Sequence, residues 1–136
     1  MKLVLDTNVI VAAFATRGLC ADIFRFAIEC CSIFGSPELL KECERVLLTK
    51  VKVPKKRIKA INSYLKSQLL IIDPEMVDVD ACRDKSDLHI LGVAKKGKVN
   101  FIVTGDQDLL SLKKFGKTKI FTPREFWGYV QNLKQV

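Results

Sequence analysis

Short apolar runs that alternate with helical patterns constrain this chain more than any other feature. The runs fall at residues 2–5, 32–34, 70–72, 101–103 and 120–121. Between them, apolar residues recur at helical spacing over 9–14, over 19–30 with Ile23, Phe24, Ala27 and Ile28 inward, and over 87–96. Ser36 followed by Pro37 is a cap residue and then a proline at the first helical position, which starts a helix running to residue 48. Thr122-Pro123 opens a last helix through residue 133, and 106–112 reads as a short one. Strands alternating with helices predict βαβ units and a mainly parallel sheet. The expected fold is a three-layer α/β/α sandwich with about five strands, one domain over residues 1–136.

The charge balance narrows the partners. Lysine and arginine total 23 against 15 acidic residues, a net charge of +8. Such a field draws polyanions, and nucleic acid is the commonest of them. Residues 50–59 carry six basic residues and no acid, and Ile58, Ile61, Tyr64, Leu65 and Leu69 follow at helical spacing. An amphipathic basic helix results, with Lys55, Lys56, Arg57 and Lys59 as candidate RNA-binding residues. The alternative for this helix is a solvated face. Lys95, Lys96 and Lys98 form a second basic group, and Lys113, Lys114, Lys117 and Lys119 a third.

Other classes are disfavoured. No apolar run reaches the roughly 18 residues that span a membrane, and Asp6 interrupts the first run too early for a signal peptide. A soluble, cytoplasmic protein with no membrane partner is the expectation. Five cysteines without a CxxC indicate neither a disulfide framework nor zinc; small buried thiols fit better. His89, the one histidine, falls on the polar side of its helix and reads as solvated. No GxxxxGK or GxGxxG phosphate loop occurs.

Against this basic background, a few acids stand where strands end. Asp6 directly follows the first strand, and Asp106 follows the fourth across Thr104-Gly105. Neighbouring strands would bring the two together at the carboxyl edge, where open parallel sheets bind ligands. Each is also a plausible helix cap. Asp87 is more telling: with Ile90, Leu91 and Ala94 it follows i, i+3, i+4, i+7 spacing, so its carboxylate sits in an apolar stripe. A charge there is costly unless paired or bound to metal; the alternative is an N-cap that only begins the helix. Asp84, one turn earlier, is a cap or an outer ligand. Glu42 lies at the margin of its helix's apolar stripe, and Asp108 is a further ligand or a first-turn acid. Crowded carboxylates need a hard divalent cation, so metal-dependent cleavage of nucleic acid is the chemistry suggested.

Four segments carry a resemblance: LDTN at 5–8, SPELLKECERVL at 36–47, RDKSDLHILGVA at 83–94 and TGDQDLL at 104–110, followed by IFTPREF at 120–126. In this order they resemble the PIN-domain ribonucleases, and among these the prokaryotic VapC-like toxins of toxin–antitoxin systems. By position, the resemblance places the family's acidic quartet on Asp6, Glu42, Asp87 and Asp106, with Asp108 an additional acid. The small polar residue near the first acid corresponds to Asn8, and the hydroxyl before the fourth to Thr104. It implies a Rossmann-like fold, Mg²⁺ or Mn²⁺, cleavage of single-stranded RNA, a homodimer and, for toxin members, a cognate antitoxin. Asp6, Asp87, Asp106 and Asp108 are the expected metal ligands; Thr7, Asn8, Asp84 and Thr104 are the expected supporting residues. Leu88 departs from the polar residue that relatives often carry after the third acid. Two rivals are a non-catalytic RNA-binding module and a haloacid-dehalogenase-type phosphatase. Asn8 weighs against the phosphatase, which needs a second Asp two residues after its nucleophile.

Overall fold

The computed structural model describes residues 1–134. Six strands form one sheet: β1 (Lys2–Leu5), β2 (Ser32–Gly35), β3 (Leu70–Ile71), β4 (Phe101–Val103), β5 (Lys114–Phe115) and β6 (Thr118–Phe121). Their order is β3-β2-β1-β4-β6-β5. All pairings are parallel except β5 on β6. Seven helices flank the sheet among the described residues: α1 (Thr7–Ala15), α2 (Leu19–Cys30), α3 (Pro37–Thr49), α4 (Lys55–Gln68), α5 (Leu88–Gly97), α6 (Gln107–Leu110) and α7 (Pro123–Lys134). This is the expected α/β sandwich with one strand more than the sequence suggested. The extra strand, β5, is two residues long and begins with a lysine, so it carries no apolar run.

Leu3, Val4 and Leu5 are all inaccessible to solvent. Consecutive strand residues face opposite sides, so both faces of β1 are covered by helices, as in parallel sheets generally. Helix α5 packs on β1 and β2, while α2 and α7 pack on each other and on β2 and β6 respectively. Of the expected inner face of α2, Ile23, Phe24 and Ala27 are buried and Ile28 is half-buried.

Local signals set the helix starts. The Ser36 hydroxyl accepts from the Leu39 N–H at 3.1 Å, with Pro37 next to it. Thr122 and Glu125 cap α7 reciprocally: Thr122 N–H donates to Glu125 Oε1 and Glu125 N–H to Thr122 Oγ1. Helix α5 ends differently from a glycine cap. Gly97 stays helical, and Lys98 takes the left-handed conformation at φ 49°. Gly97 is small because a Cβ there would lie 3.0 Å from the Phe34 ring. Gly92 has a similar reason, since a Cβ would come within 2.5 Å of the Glu75 carbonyl. Through that contact the extended chain after β3 lies directly on α5.

The cysteines depart from expectation. Cys43 and Cys82 are buried, Cys20 and Cys31 half-buried, and Cys30 exposed. Cys30 ends α2 on its outer side, beyond the reach of the apolar stripe. Along α4, Ile58, Leu65 and Leu69 are buried, but Tyr64 is 42% exposed and meets Phe14 edge-on. Phe126 is fully buried, and Phe121 stacks on Phe101 with Tyr129 beside them, so these aromatics pack as core. No described helix is long and apolar enough to cross a membrane.

Candidate metal centre

The strand order sets where a ligand fits. From β1 the chain winds outward through β2 and β3, then returns to place β4 on the other side of β1. The order reverses between β1 and β4, and at such a point open parallel sheets take ligands at their carboxyl edge. Asp6 stands at the end of β1, and Thr104 at the end of β4. The two loops are tied together, because Asp6 N–H donates to the Val103 carbonyl at 3.0 Å.

Asp6 is only 6% exposed. Its Oδ1 accepts from the Thr7 N–H at 2.8 Å, and its Oδ2 accepts from the Thr104 hydroxyl at 2.7 Å. The same Thr104 oxygen accepts from the Asp106 N–H at 3.0 Å. One buried hydroxyl therefore bridges the two acidic turns. Asp106 caps α6, its Oδ1 accepting from the Asp108 N–H at 2.8 Å. Asp6 and Asp106 thus serve as helix caps and as members of one acidic group.

Asp87 closes the group from the opposite side. It ends a 3-10 turn (Lys85–Asp87) and immediately precedes α5, but its side chain caps nothing. Only 7% of it is exposed, and its buried Oδ2 has no hydrogen-bond partner among the described residues. Burial first, then the adjacent Asp106 carboxyl and the charges of Asp106, Asp6 and Asp84, push Asp87 up to about 8. Asp6 is raised as well, chiefly by burial, although the hydrogen bonds from Thr104 and Thr7 oppose this. Asp84 goes the other way: hydrogen bonds from Ser86 lower it. No lysine or arginine forms an ion pair with Asp6, Asp87 or Asp106 among the described residues. The nearest basic residue in sequence, Lys85, is turned to Asp80 and the Val79 carbonyl.

Asp84, Asp87 and Asp108 each offer an oxygen within 4.8 Å of the others. Asp6 and Asp106 border this trio and act on Asp87 electrostatically. The donor set is all carboxylate, the choice of hard divalent ions. An unpartnered buried oxygen among like charges with no internal cation fits such an ion.

The remaining expected residues are placed as follows. Thr7 is buried, and its hydroxyl lies beside the Cys43 thiol. Asn8 faces solvent on α1. Glu42, on α3, is near enough to Asp6 to raise it. Lys55, Lys56, Arg57 and Lys59 are exposed along the first turns of α4. His89 is the correction. Its side chain is 7% exposed, and Nε2 lies 3.2 Å from Glu42 Oε2. The helical spacing alone gives α5 a single buried face and puts His89 on the polar side. The unbroken buried run Ile90 to Ala94 means that this helix is covered on more than one side. That run was the signal that could have placed His89 inside.

Comparison with known proteins identifies the family and the fold. The PIN domain family profile matches residues 2–108. The chain therefore belongs to the PIN domain family. No curated protein matches it by sequence. Among solved structures, the chain is similar to VapBC2 from Rickettsia felis, crystallised with a DNA fragment from its promoter, at a TM-score of 0.64 and 16% identity. That match covers 90% of this chain and 98% of the other. It is also similar to FitAcB from Neisseria gonorrhoeae, at a TM-score of 0.54 and 15% identity, covering 89% and 97%. These likenesses are of fold.

Proposed function

We propose that the protein is a divalent-metal-dependent endoribonuclease that hydrolyses phosphodiester bonds of single-stranded RNA in the cytoplasm. We further propose that it is the toxin of a toxin–antitoxin pair. The observation that carries the nuclease reading is the unpartnered Asp87 Oδ2 inside a group of carboxylates that has no internal cation. The PIN family membership supports nuclease chemistry. The likeness to VapBC2 and FitAcB supports the toxin assignment and a protein antitoxin as partner; a homodimer as the working assembly rests on the family resemblance alone.

Asp87, Asp106, Asp6 and Asp108 are the residues assigned to hold Mg²⁺ or Mn²⁺, with Asp84 at the rim. When bound, the ion supplies Lewis acidity toward a phosphoryl oxygen and an attacking water. The chain's own residues do the rest. Thr104 and the Thr7 N–H fix the direction of both Asp6 oxygens. The Asp108 N–H fixes Asp106. Glu42 presents a further carboxylate from α3, and Asn8, exposed two residues after Asp6, is assigned to meet substrate. Lys55, Lys56, Arg57 and Lys59 hold the phosphate backbone by charge, so RNA affinity falls steeply as salt rises.

The test is cleavage of single-stranded RNA with Mn²⁺, with EDTA, and by Asp6→Asn and Asp106→Asn. Activity only in the unmodified protein with Mn²⁺ is expected. Equal activity in every arm overturns the site. Expression of the wild type but not Asp106→Asn should arrest a bacterial host; unimpeded growth in both removes the toxin assignment.

A further inference from the structure

His89 is the only histidine in the chain, and the proposed chemistry gives it no task. It projects from α5 two residues after Asp87, and Glu42 projects from α3, which packs against α5. The two side chains meet at 3.2 Å, Nε2 to Oε2. Glu42 is 34% exposed and His89 7%. A half-exposed glutamate has three rotatable bonds and no fixed direction unless something holds it. Here the buried ring holds it.

The hydrogen position follows from the partners. A carboxylate accepts, so the hydrogen sits on Nε2. Nδ1 is buried and has no partner among the described residues, so a hydrogen there would be a donor with nothing to receive it. Glu42 is thus the ring's one hydrogen-bond partner among the described residues. Leaving Nδ1 unpartnered is unfavourable. A leucine would fill the space between α3 and α5 without that penalty. Packing alone therefore gives no reason for an imidazole here.

We infer that His89 is a positioning residue: its Nε2–H holds Glu42 Oε2 and fixes that carboxylate beside Asp6. This rests on the proposed nuclease site, in which Glu42 contributes charge to the metal cavity. It assigns the direction of Glu42 to a residue of another helix. Hydrogen bonds of this kind to residues at a metal characteristically alter metal affinity when removed.

The experiment is calorimetric titration of the full chain with Mn²⁺, alongside thermal unfolding. The variants are Glu42→Gln, His89→Leu, His89→Gln, Asp87→Asn and the double change His89→Leu with Glu42→Gln. His89→Leu keeps the packing and loses the donor; His89→Gln returns an N–H near the same place. Expected is a loss of Mn²⁺ affinity of roughly ten-fold in His89→Leu. Glu42→Gln should weaken it similarly, the double variant should be no weaker than Glu42→Gln alone, and His89→Gln should regain most of the loss. If His89→Leu does not fold, His89→Phe takes its place as the donorless ring. Wild-type affinity in the donorless variant beside a weakened Glu42→Gln overturns the positioning role and leaves the metal site standing. Additive losses in the double variant overturn it too. Wild-type affinity in Glu42→Gln overturns it together with the role of Glu42. Asp87→Asn then reports on the metal site separately, since only failure of that arm as well would remove the nuclease reading.

Discussion

Thr104 and Asp6 are joined across neighbouring strands by a 2.7 Å hydrogen bond, the buried hydroxyl donating to the carboxylate. Thr104 is fully inaccessible, and the same oxygen accepts from the Asp106 N–H. One side chain thus spans the point where the sheet order reverses and holds both acidic turns in register. Thr104→Val keeps the shape and removes both hydrogen bonds. It leaves a buried carboxylate oxygen and a backbone N–H without partners. A loss of roughly 1–3 kcal/mol is expected, read by urea unfolding. Thr104→Ser, which keeps the hydroxyl, should lose less. Equal stability of valine and wild type would mean that the bridge contributes nothing.

A pH dependence follows from Asp87. Burial and the carboxyl and charge of Asp106 push it up to about 8 in the folded protein, against roughly 3.9 in an unfolded chain. Between those values the native state binds more protons than the unfolded state, so stability falls as pH rises. The contribution is full below about 4 and lost as pH passes about 8. In chelator the melting temperature should therefore decline from pH 5 to pH 8.5. Asp87→Asn should flatten the decline. Added Mn²⁺ should raise the wild-type melting temperature most at high pH, where the carboxylate is ionised, and should raise that of the variant less.

Much of this arrangement was legible in the sequence, and the parts that were not share a cause. Asp6 and Asp106 could be brought together because each ends an apolar run and parallel strands align such ends. Asp87 was legible from the apolar spacing that leads into α5, although it stands at the N-cap position just before that helix. Asp84 joining Asp87 and Asp108 within 4.8 Å was not, since a 3-10 turn has no apolar period to read. His89 was misplaced because a helical wheel assumes one buried face, and α5 is also covered by the chain around Pro74 and Glu75. The apolar run Ile90 to Ala94 signals a second cover, but which distant segment supplies it has no local signature. Strand β5 was invisible for a related reason: its pairing comes from the hairpin with β6, not from its own residues.

Thiol reactivity gives an independent check on the burial pattern. Cys43 is buried, and burial, with the charges of Glu42 and Asp6, pushes its thiol up to about 12. The thiolate is the reactive form. Cys30 is exposed. Alkylation followed by mass spectrometry should label Cys30 first and Cys43 last in native protein. Unfolding should make the two rates converge. Early labelling of Cys43 would contradict its placement against the acidic group.

The basic start of α4 gives the sharpest conflict between stability and function. Lys55, Lys56 and Arg57 occupy the first turn, there is no acid there, and Pro54 provides no side-chain cap. The free N–H groups and the helix dipole make this end positive, so cations are unfavourable here. Lys55→Glu and Lys56→Glu should each stabilise the protein by about 0.3–1 kcal/mol at low salt. If these lysines hold RNA, the same changes should weaken binding and reduce the slope of affinity against salt by about one per lysine. Stability would be read by unfolding at low ionic strength, and affinity by titrating single-stranded RNA over a salt series. A gain in stability with an unchanged salt slope would assign the cations to a solvated surface and move the RNA path elsewhere. Opposite changes in the two quantities would show that the chain keeps positive charge where folding alone disfavours it.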